Sequence, residues 1–223
     1  MKSLNSFADH APKREWLVSF FDLKEAFFTE HSLGPMMYDM FRRFLRDAGL
    51  NEKNHFTSFA ELIEQIGWES DTALGLMMVN LAMENPQIAW YVNTLDIGVY
   101  YERKQVEEML TSLDVKPKDA KSIVKSYKRI METPFGTTLN FGYFTDDENI
   151  VRLKWSMSDN RVFLYALYRF VEKCNLNREF NVSYLFDESI ERDGVSPVRL
   201  FGLYDEEELR NVLLGLSARY PNF

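Results

Sequence analysis

The order of short β-prone and helical segments between residues 99 and 155 is the feature that most constrains the fold of this chain. The segments are a β-prone run, two stretches of helical period and two further β-prone runs around a polar turn: 99–101, 102–113, 116–131, 138–144 and 150–155. Strand, helix, turn, helix and hairpin follow one another in this order in a winged helix, whose second helix enters a DNA groove. The sequence therefore predicts a winged-helix unit at residues 99–157.

The second of these helices, residues 116–131, has two faces of opposite character. Pro117 suits a first helical position, and Pro134 disfavours helix at the residue before it. Six apolar residues at helical spacing form one stripe: Ala120, Ile123, Val124, Tyr127, Ile130 and Met131. Four lysines spaced by three, four and three residues share another side, which we call the lysine face: Lys118, Lys121, Lys125 and Lys128.

The lysine face is a local charge anomaly. From Lys116 to Arg129 there are six basic residues and one acid, Asp119, whereas the whole chain has a formal charge of −8. An acidic chain does not attract nucleic acid through its overall field, so any such contact must come from a local patch. We predict that this helix contacts the phosphates of double-stranded DNA, with Ser126 and Tyr127 close by. The predicted contact set is Lys116, Lys118, Lys121, Ser122, Lys125, Lys128 and Arg129.

Two other interpretations of the lysine face stay open. It could dock a partner protein, or it could be a solvated surface that only keeps the helix soluble. The acidic turn Asp146–Glu148 favours the solvated reading, because a wing with that charge repels phosphate. The one-sidedness of the charge favours function, since the other exposed helix faces mix both signs.

The preceding region, residues 1–98, predicts a helical, winged-helix-like unit. One helix ends at Gly49, which suits a left-handed cap, and residues 51–55 predict a polar linker after it. A helix over 71–83 is apolar almost all round and follows Ser70 as its cap, which indicates a central position.

The final region, residues 158–223, predicts a helix-turn-helix-like unit. Its predicted helices are 161–174, 182–190 and 206–219. Asp205 and Glu208 are typical of a capping box for the last of them. No closing hairpin follows, and we expect this unit to be truncated. The predicted fold is therefore mostly α with small β-hairpins, in tandem winged-helix or helix-turn-helix-like units bounded as 1–98, 99–157 and 158–223.

Composition excludes several classes of protein. The chain has 223 residues, of which 46% are hydrophobic, and this is enough for a buried core. Its single cysteine, Cys174, excludes an internal disulfide framework and is typical of a reducing compartment. The sequence has neither a hydrophobic leader nor a run of about 18 apolar residues, so we expect a cytoplasmic protein without membrane contact.

The sequence lacks the patterns of common catalytic and cofactor sites. It contains no phosphate-binding glycine loop, no dinucleotide-binding glycine motif and no serine nucleophile elbow. His10, His31 and His55 are too widely spaced for a helical metal pair, and one cysteine cannot form a thiolate zinc site. We therefore predict that the chain is not an enzyme and has neither a cofactor nor a metal site.

Several segments taken together resemble a known family. They are Ile88–Asp96 (IAWYVNTLD), Tyr100–Leu110 (YYERKQVEEML), Glu132–Gly142 (ETPFGTTLNFG), Leu164–Cys174 (LYALYRFVEKC), Asp193–Leu203 (DGVSPVRLFGL) and Gly215–Phe223 (GLSARYPNF). Their order resembles the region that follows the catalytic domain in phosphoadenosine phosphosulfate reductase-like proteins of bacterial DNA-modification and phage-defence clusters, including DNA phosphorothioation systems. The S-G-G-x-D-S-type loop and the cysteine ligands for an iron–sulfur cluster, which occur in that family, are absent from this sequence.

The resemblance implies an accessory region of a sulfur-handling or nucleotide-activating enzyme, or a free-standing relative of that region. Together with the helix and hairpin order and the lysine face, it predicts a non-catalytic, DNA-binding accessory module of such a system, whose partners are double-stranded DNA and other subunits of the complex. An alternative is a protein-docking module that uses an aromatic surface near Trp90, Tyr91 or Phe201. A second alternative is a fragment of an enzyme whose catalytic domain is absent from this sequence.

Overall fold

The computed structural model of the chain describes residues 3–156, 159–174, 181–186 and 194–220. These residues are mostly helical with two small antiparallel sheets, which confirms the predicted class. The helices are α1 Arg14–Leu23, α2 Phe27–Glu30, α3 Pro35–Asp47, α4 Ser58–Gln65, α5 Asp71–Glu84, α6 Pro86–Thr94, α7 Arg103–Thr111, α8 Pro117–Met131, α9 Pro134–Leu139, α10 Asn160–Lys173, α11 Pro197–Phe201 and α12 Glu206–Arg219. The strands are β1 Asn51–Glu52, β2 His55–Phe56, β3 Tyr100–Tyr101, β4 Gly142–Phe144 and β5 Ile150–Arg152.

Helix α5 lies at the centre of the described residues, as its apolar composition predicts. Ser70 caps it by accepting a hydrogen bond from the backbone N–H of Ala73 at 3.2 Å. The helix packs against α3, α6, α9 and α10. At Gly75 a Cβ atom would meet Val162 of α10 at 2.9 Å, so glycine permits this close approach. The hydrophobic core therefore runs across the predicted unit boundaries, and the division into three units stays a prediction.

The region predicted as strand, helix, turn, helix and hairpin contains these elements in that order, with α9 added. Strands β3, β5 and β4 form one antiparallel sheet in the spatial order β3-β5-β4. Helices α7 and α8 pack against each other, and α8 also packs against α9 and β4. The predicted strand 138–144 is wrong in its first half. Pro134 is the first residue of α9 instead. That helix ends at Leu139 and is followed by Asn140, whose backbone is in the left-handed conformation.

Three other predictions need correction. The predicted linker 51–55 is part of the hairpin β1–β2, because Lys53 and Asn54 both have positive φ and form a tight two-residue turn. Asp205 caps α12, but Glu208 bonds Lys154 instead of closing a capping box. The predicted helix 182–190 is a 3-10 turn over Val182–Leu185, and 187–190 lie outside the described residues.

A buried guanidinium ties the sheet to two helices. Arg152 is 2% exposed and donates hydrogen bonds to the carbonyl oxygens of Val92 and Leu95 at 2.8 and 2.9 Å, at the end of α6. It also donates to the carbonyl oxygens of Arg199 and Leu200 in α11. Burial lowers the pKa of the Arg152 guanidinium below its ordinary value. The last carbonyls of a helix lack intrahelical partners, and Arg152 supplies donors to them.

Candidate nucleic-acid interface

Helix α8 has the predicted bounds, and its two faces are separated as predicted. All six residues of the apolar stripe are buried. The side chains of the lysine face and of Lys116 and Arg129 are exposed, and Ser122 is partly exposed. The lysine face therefore points away from the core, because residues at this spacing lie on the opposite side of the helix from the buried stripe.

The predicted participation of Ser126 and Tyr127 at this surface is wrong, since both residues are buried. The hydroxyl of Tyr127 donates to the backbone carbonyl of Gln87 at 2.9 Å. The hydroxyl of Ser126 donates to the carbonyl of Ile123 and accepts from the side-chain amide of Gln87. Successive residues of a helix are rotated by about 100° about its axis. Ser126 and Tyr127 therefore lie towards the core, although Lys125 just before them is exposed. These hydroxyls fix α8 to α6.

The N-terminal segment lies along one side of α8. The side-chain amide of Asn5 donates to Asp119 at 3.0 Å near the start of the helix. The guanidinium of Arg129 lies 3.1 Å from His10 Nδ1 and 4.0 Å from the carboxylate of Asp9 near its end. Residues 6–9 form bends and a turn, in which the N–H of His10 donates to the carbonyl oxygen of Phe7 at 2.9 Å, so this compact segment contacts α8 near both of its ends.

The β4–β5 turn lies against the other side of α8. The carboxylate of Glu148 contacts Lys128 Nζ at 3.0 Å and the guanidinium of Arg103 at 2.6 Å. Hydrogen bonds from Lys128 and Arg103 hold the pKa of Glu148 below its ordinary value. Lys128 Nζ also lies 5.6 Å from the ring centroid of Phe144. The turn is thus not simply solvated, because one of its three acids is ion-paired to the helix.

The basic surface is therefore divided into two halves. At the C-terminal end, Lys128 and Arg129 have carboxylate neighbours. Within the described part of the chain, no carboxylate lies within 4.0 Å of Lys118, Lys121 or Lys125. Among the residues that the structure describes, the unpaired positive charge of α8 is concentrated between Lys118 and Lys125, together with Lys116 just before the helix. The sequence predicted all of these residues as contacts but did not predict this division.

The aromatic surface predicted near Trp90, Tyr91 and Phe201 is wrong, because all three side chains are buried. Trp90 and Tyr91 pack against Tyr127 of α8, and Phe201 stacks on Trp155 at 4.7 Å between ring centroids. A different pair of aromatic residues, Tyr100 and Tyr143 on the sheet, is exposed instead and was not predicted. The alternation of the β3 strand could have found Tyr100, since its neighbour Tyr101 is buried.

The other candidate side chains form no recognisable metal site. Over residues 3–156, 159–174, 181–186 and 194–220, no three histidine, cysteine or acidic side chains are grouped so as to hold a metal ion. His31 instead stacks on Tyr38 with ring centroids 3.9 Å apart. Within the same residues, no helix is long and apolar enough to cross a membrane.

No protein-family model, curated protein or solved structure matches this chain. The resemblance to phosphoadenosine phosphosulfate reductase-like proteins accordingly stays an expectation based on sequence segments. The charge, exposure and position of α8 are the features of the chain that bear on its function.

Proposed function

We propose that this chain is a non-catalytic DNA-binding module that contacts the phosphates of a duplex through the part of α8 between Lys118 and Lys125. The observation that carries the proposal is the exposed cluster of Lys118, Lys121 and Lys125 on the side of α8 opposite the core. Lys116 and Ser122, which also belong to the predicted contact set, lie next to this cluster. Lys128 and Arg129 belong to its border, where carboxylates already neutralise them.

The topology around α8 supports the same proposal. The succession β3–α7–α8–β4–β5, with the strand order β3-β5-β4, agrees with the element order expected for a winged-helix unit with one added helix, α9. We propose on this ground that α8 acts as the recognition helix. Lys118 and Lys125 are separated by about 10 Å along the helix axis, which is close to the roughly 12 Å width of a major groove.

The proposed binding is independent of base sequence. Lysine contacts phosphates as a mobile point charge, whereas base reading typically uses the forked donors of arginine, asparagine or glutamine. The N-terminal half of the face carries lysines and Ser122 but none of those three residue types. Arg129, the remaining candidate, is held beside His10 and Asp9. Binding of this kind depends strongly on salt.

The proposed setting is a bacterial DNA-modification or phage-defence complex. The sequence resemblance supports this setting, in which the module would hold a phosphoadenosine phosphosulfate reductase-like enzyme on DNA. Its partners would be double-stranded DNA and the other subunits of the complex. The lysines are exposed on a helix whose opposite side is buried in the core, and this arrangement is consistent with a DNA-binding module without a catalytic centre.

A duplex-binding titration in increasing salt tests the proposal. The variant Lys121→Glu/Lys125→Glu should bind a fluorescent duplex more weakly, and the slope of log K against log salt should flatten by about 1.8, since each phosphate contact contributes about 0.9. The control Arg42→Glu/Lys104→Glu changes the total charge equally at exposed positions of α3 and α7. Equal losses in the two double variants would show that the lysine face has no special role.

A further inference from the structure

The outer face of the three-stranded sheet carries two exposed tyrosines. Tyr100 and Tyr143 both pair with Val151 in the strand register, one on each side of it. Their side chains are 61% and 38% exposed, and their hydroxyl oxygens lie 3.3 Å apart. Val151 is only 1% exposed despite its outward position. We call Tyr100, Tyr143 and Val151 the tyrosine face.

An outward row of Tyr, Val and Tyr is unusual for a sheet with one solvated side. Such sheets commonly alternate apolar residues towards the core with polar residues towards water. Here the inward residues, Tyr101 and Ile150, are also apolar and buried. Exposed tyrosines are typical of surfaces that bind proteins, because a rigid ring gives a large contact area at a small cost in conformational entropy.

Acidic residues follow both tyrosines along the chain, and the two cations beside them, Arg103 and Lys104, are each paired with carboxylates of their own. Glu102 comes two residues after Tyr100, and Asp146 and Asp147 come three and four residues after Tyr143; all three acids are exposed. At about 3.3 Å per residue, these carboxylates begin within roughly 7 to 13 Å of the tyrosines. This surface therefore has the opposite charge to the lysine face and disfavours a phosphate backbone.

We propose that the tyrosine face docks an arginine-rich segment of a partner protein. A guanidinium stacks on a tyrosine ring and also forms paired hydrogen bonds with a carboxylate, so it matches both components of the surface. Lysine matches the charge but lacks the planar group that stacks on the ring. The docking surface adjoins the border of the lysine face at the Lys128–Glu148 contact and does not include Lys118, Lys121 or Lys125.

The test compares two short peptides of equal length, an oligoarginine and an oligolysine, by calorimetry at physiological salt. The wild-type chain should bind the oligoarginine more tightly by about fivefold or more, from stacking on two rings. The variant Tyr100→Ser/Tyr143→Ser should lose this preference and retain the salt-dependent attraction that both peptides share. Tyr168→Ser, which removes a tyrosine of similar exposure from α10, should keep the preference.

Two further variants separate the components of the surface. Tyr100→Phe/Tyr143→Phe keeps both rings and should keep the preference for oligoarginine, even though it removes the hydroxyl pair. Glu102→Gln/Asp146→Asn/Asp147→Asn should weaken binding of both peptides. An unchanged preference in the serine double variant, or an equal loss in Tyr168→Ser, would overturn the proposal. Duplex binding measured on the same variants keeps this outcome separate from the proposed function of α8.

Discussion

The carboxylate of Glu148 lies 3.0 Å from Lys128 Nζ, so the hairpin turn neutralises one residue of the lysine face. The two residues are twenty positions apart and belong to a turn and a helix that pack side by side. An acidic turn beside a cationic helix can repel an approaching phosphate, or it can compete with the phosphate for a cation. The ion pair between Glu148 and Lys128 corresponds to the second case, because the carboxylate already occupies the ammonium group. Glu148 therefore limits the positive charge that α8 offers to a polyanion.

Removing this carboxylate should strengthen duplex binding. In Glu148→Gln, Lys128 becomes able to contact a phosphate, so affinity should rise and the salt slope should steepen by about 0.9. A salt titration by fluorescence anisotropy measures both quantities. Asp147→Asn is the matched control, since it removes a neighbouring acid of the same turn. A gain of the same size in both variants would mean that only net charge matters.

The Lys128–Glu148 contact should disappear at acidic pH. The pKa of Glu148 is lowered in the folded chain, so its stabilising contribution is present above the ordinary carboxylate pKa and is lost as pH falls through the folded value. Carboxyl carbon NMR should follow this titration directly. In Lys128→Met the pKa of Glu148 should move up towards its ordinary value, whereas Lys125→Met should leave it unchanged.

Local pattern predicted the helices well and the short strands less well. Periodicity gave both ends of α8, and Ser70 and Gly49 marked helix ends that the structure confirms. Residues 138–141 have the β-branched and aromatic composition of a strand. The helix-starting Pro134 and packing against α8 outweigh that propensity, because strand propensity depends strongly on context.

The division of the lysine face could not be predicted from the sequence. It depends on contacts such as Asp9 with Arg129 and Glu148 with Lys128, whose partners are far apart along the chain. Helical spacing gives the side of a helix on which a residue lies, but not the segment that packs beside it. The same limit explains why Trp90 was predicted at the surface, whereas α8 covers it.

Arg152 should be essential to stability. In Arg152→Met the buried carbonyl oxygens at the ends of α6 and α11 would lose a donor, although that of Val92 would still accept from Arg199 at 3.0 Å, and the change should cost about 2–4 kcal/mol of unfolding free energy. Urea denaturation measures this change. The control Arg161→Met removes an exposed guanidinium from its ion pair with the half-buried Asp159, which keeps its hydrogen bond from Thr72, and should cost about 1 kcal/mol. Similar losses in the two variants would contradict a special role for the buried site.

Gln87 should control the attachment of the N-terminal segment to α8. Its buried side-chain oxygen accepts hydrogen bonds from the backbone N–H groups of Ser6 and Phe7, at 2.9 and 3.2 Å, and its amide donates to Ser126. Gln87→Leu leaves the Phe7 N–H without its acceptor and removes one of two acceptors from the Ser6 N–H, which also donates to Leu4 at 3.1 Å, so it should destabilise the chain by about 1–3 kcal/mol. Hydrogen exchange should accelerate first at Ser6 and Phe7, because their amides lose the acceptor directly. Gln105→Leu, at an exposed position of α7, should change neither quantity, and unchanged exchange at Ser6 in Gln87→Leu would show that the segment is held by other contacts.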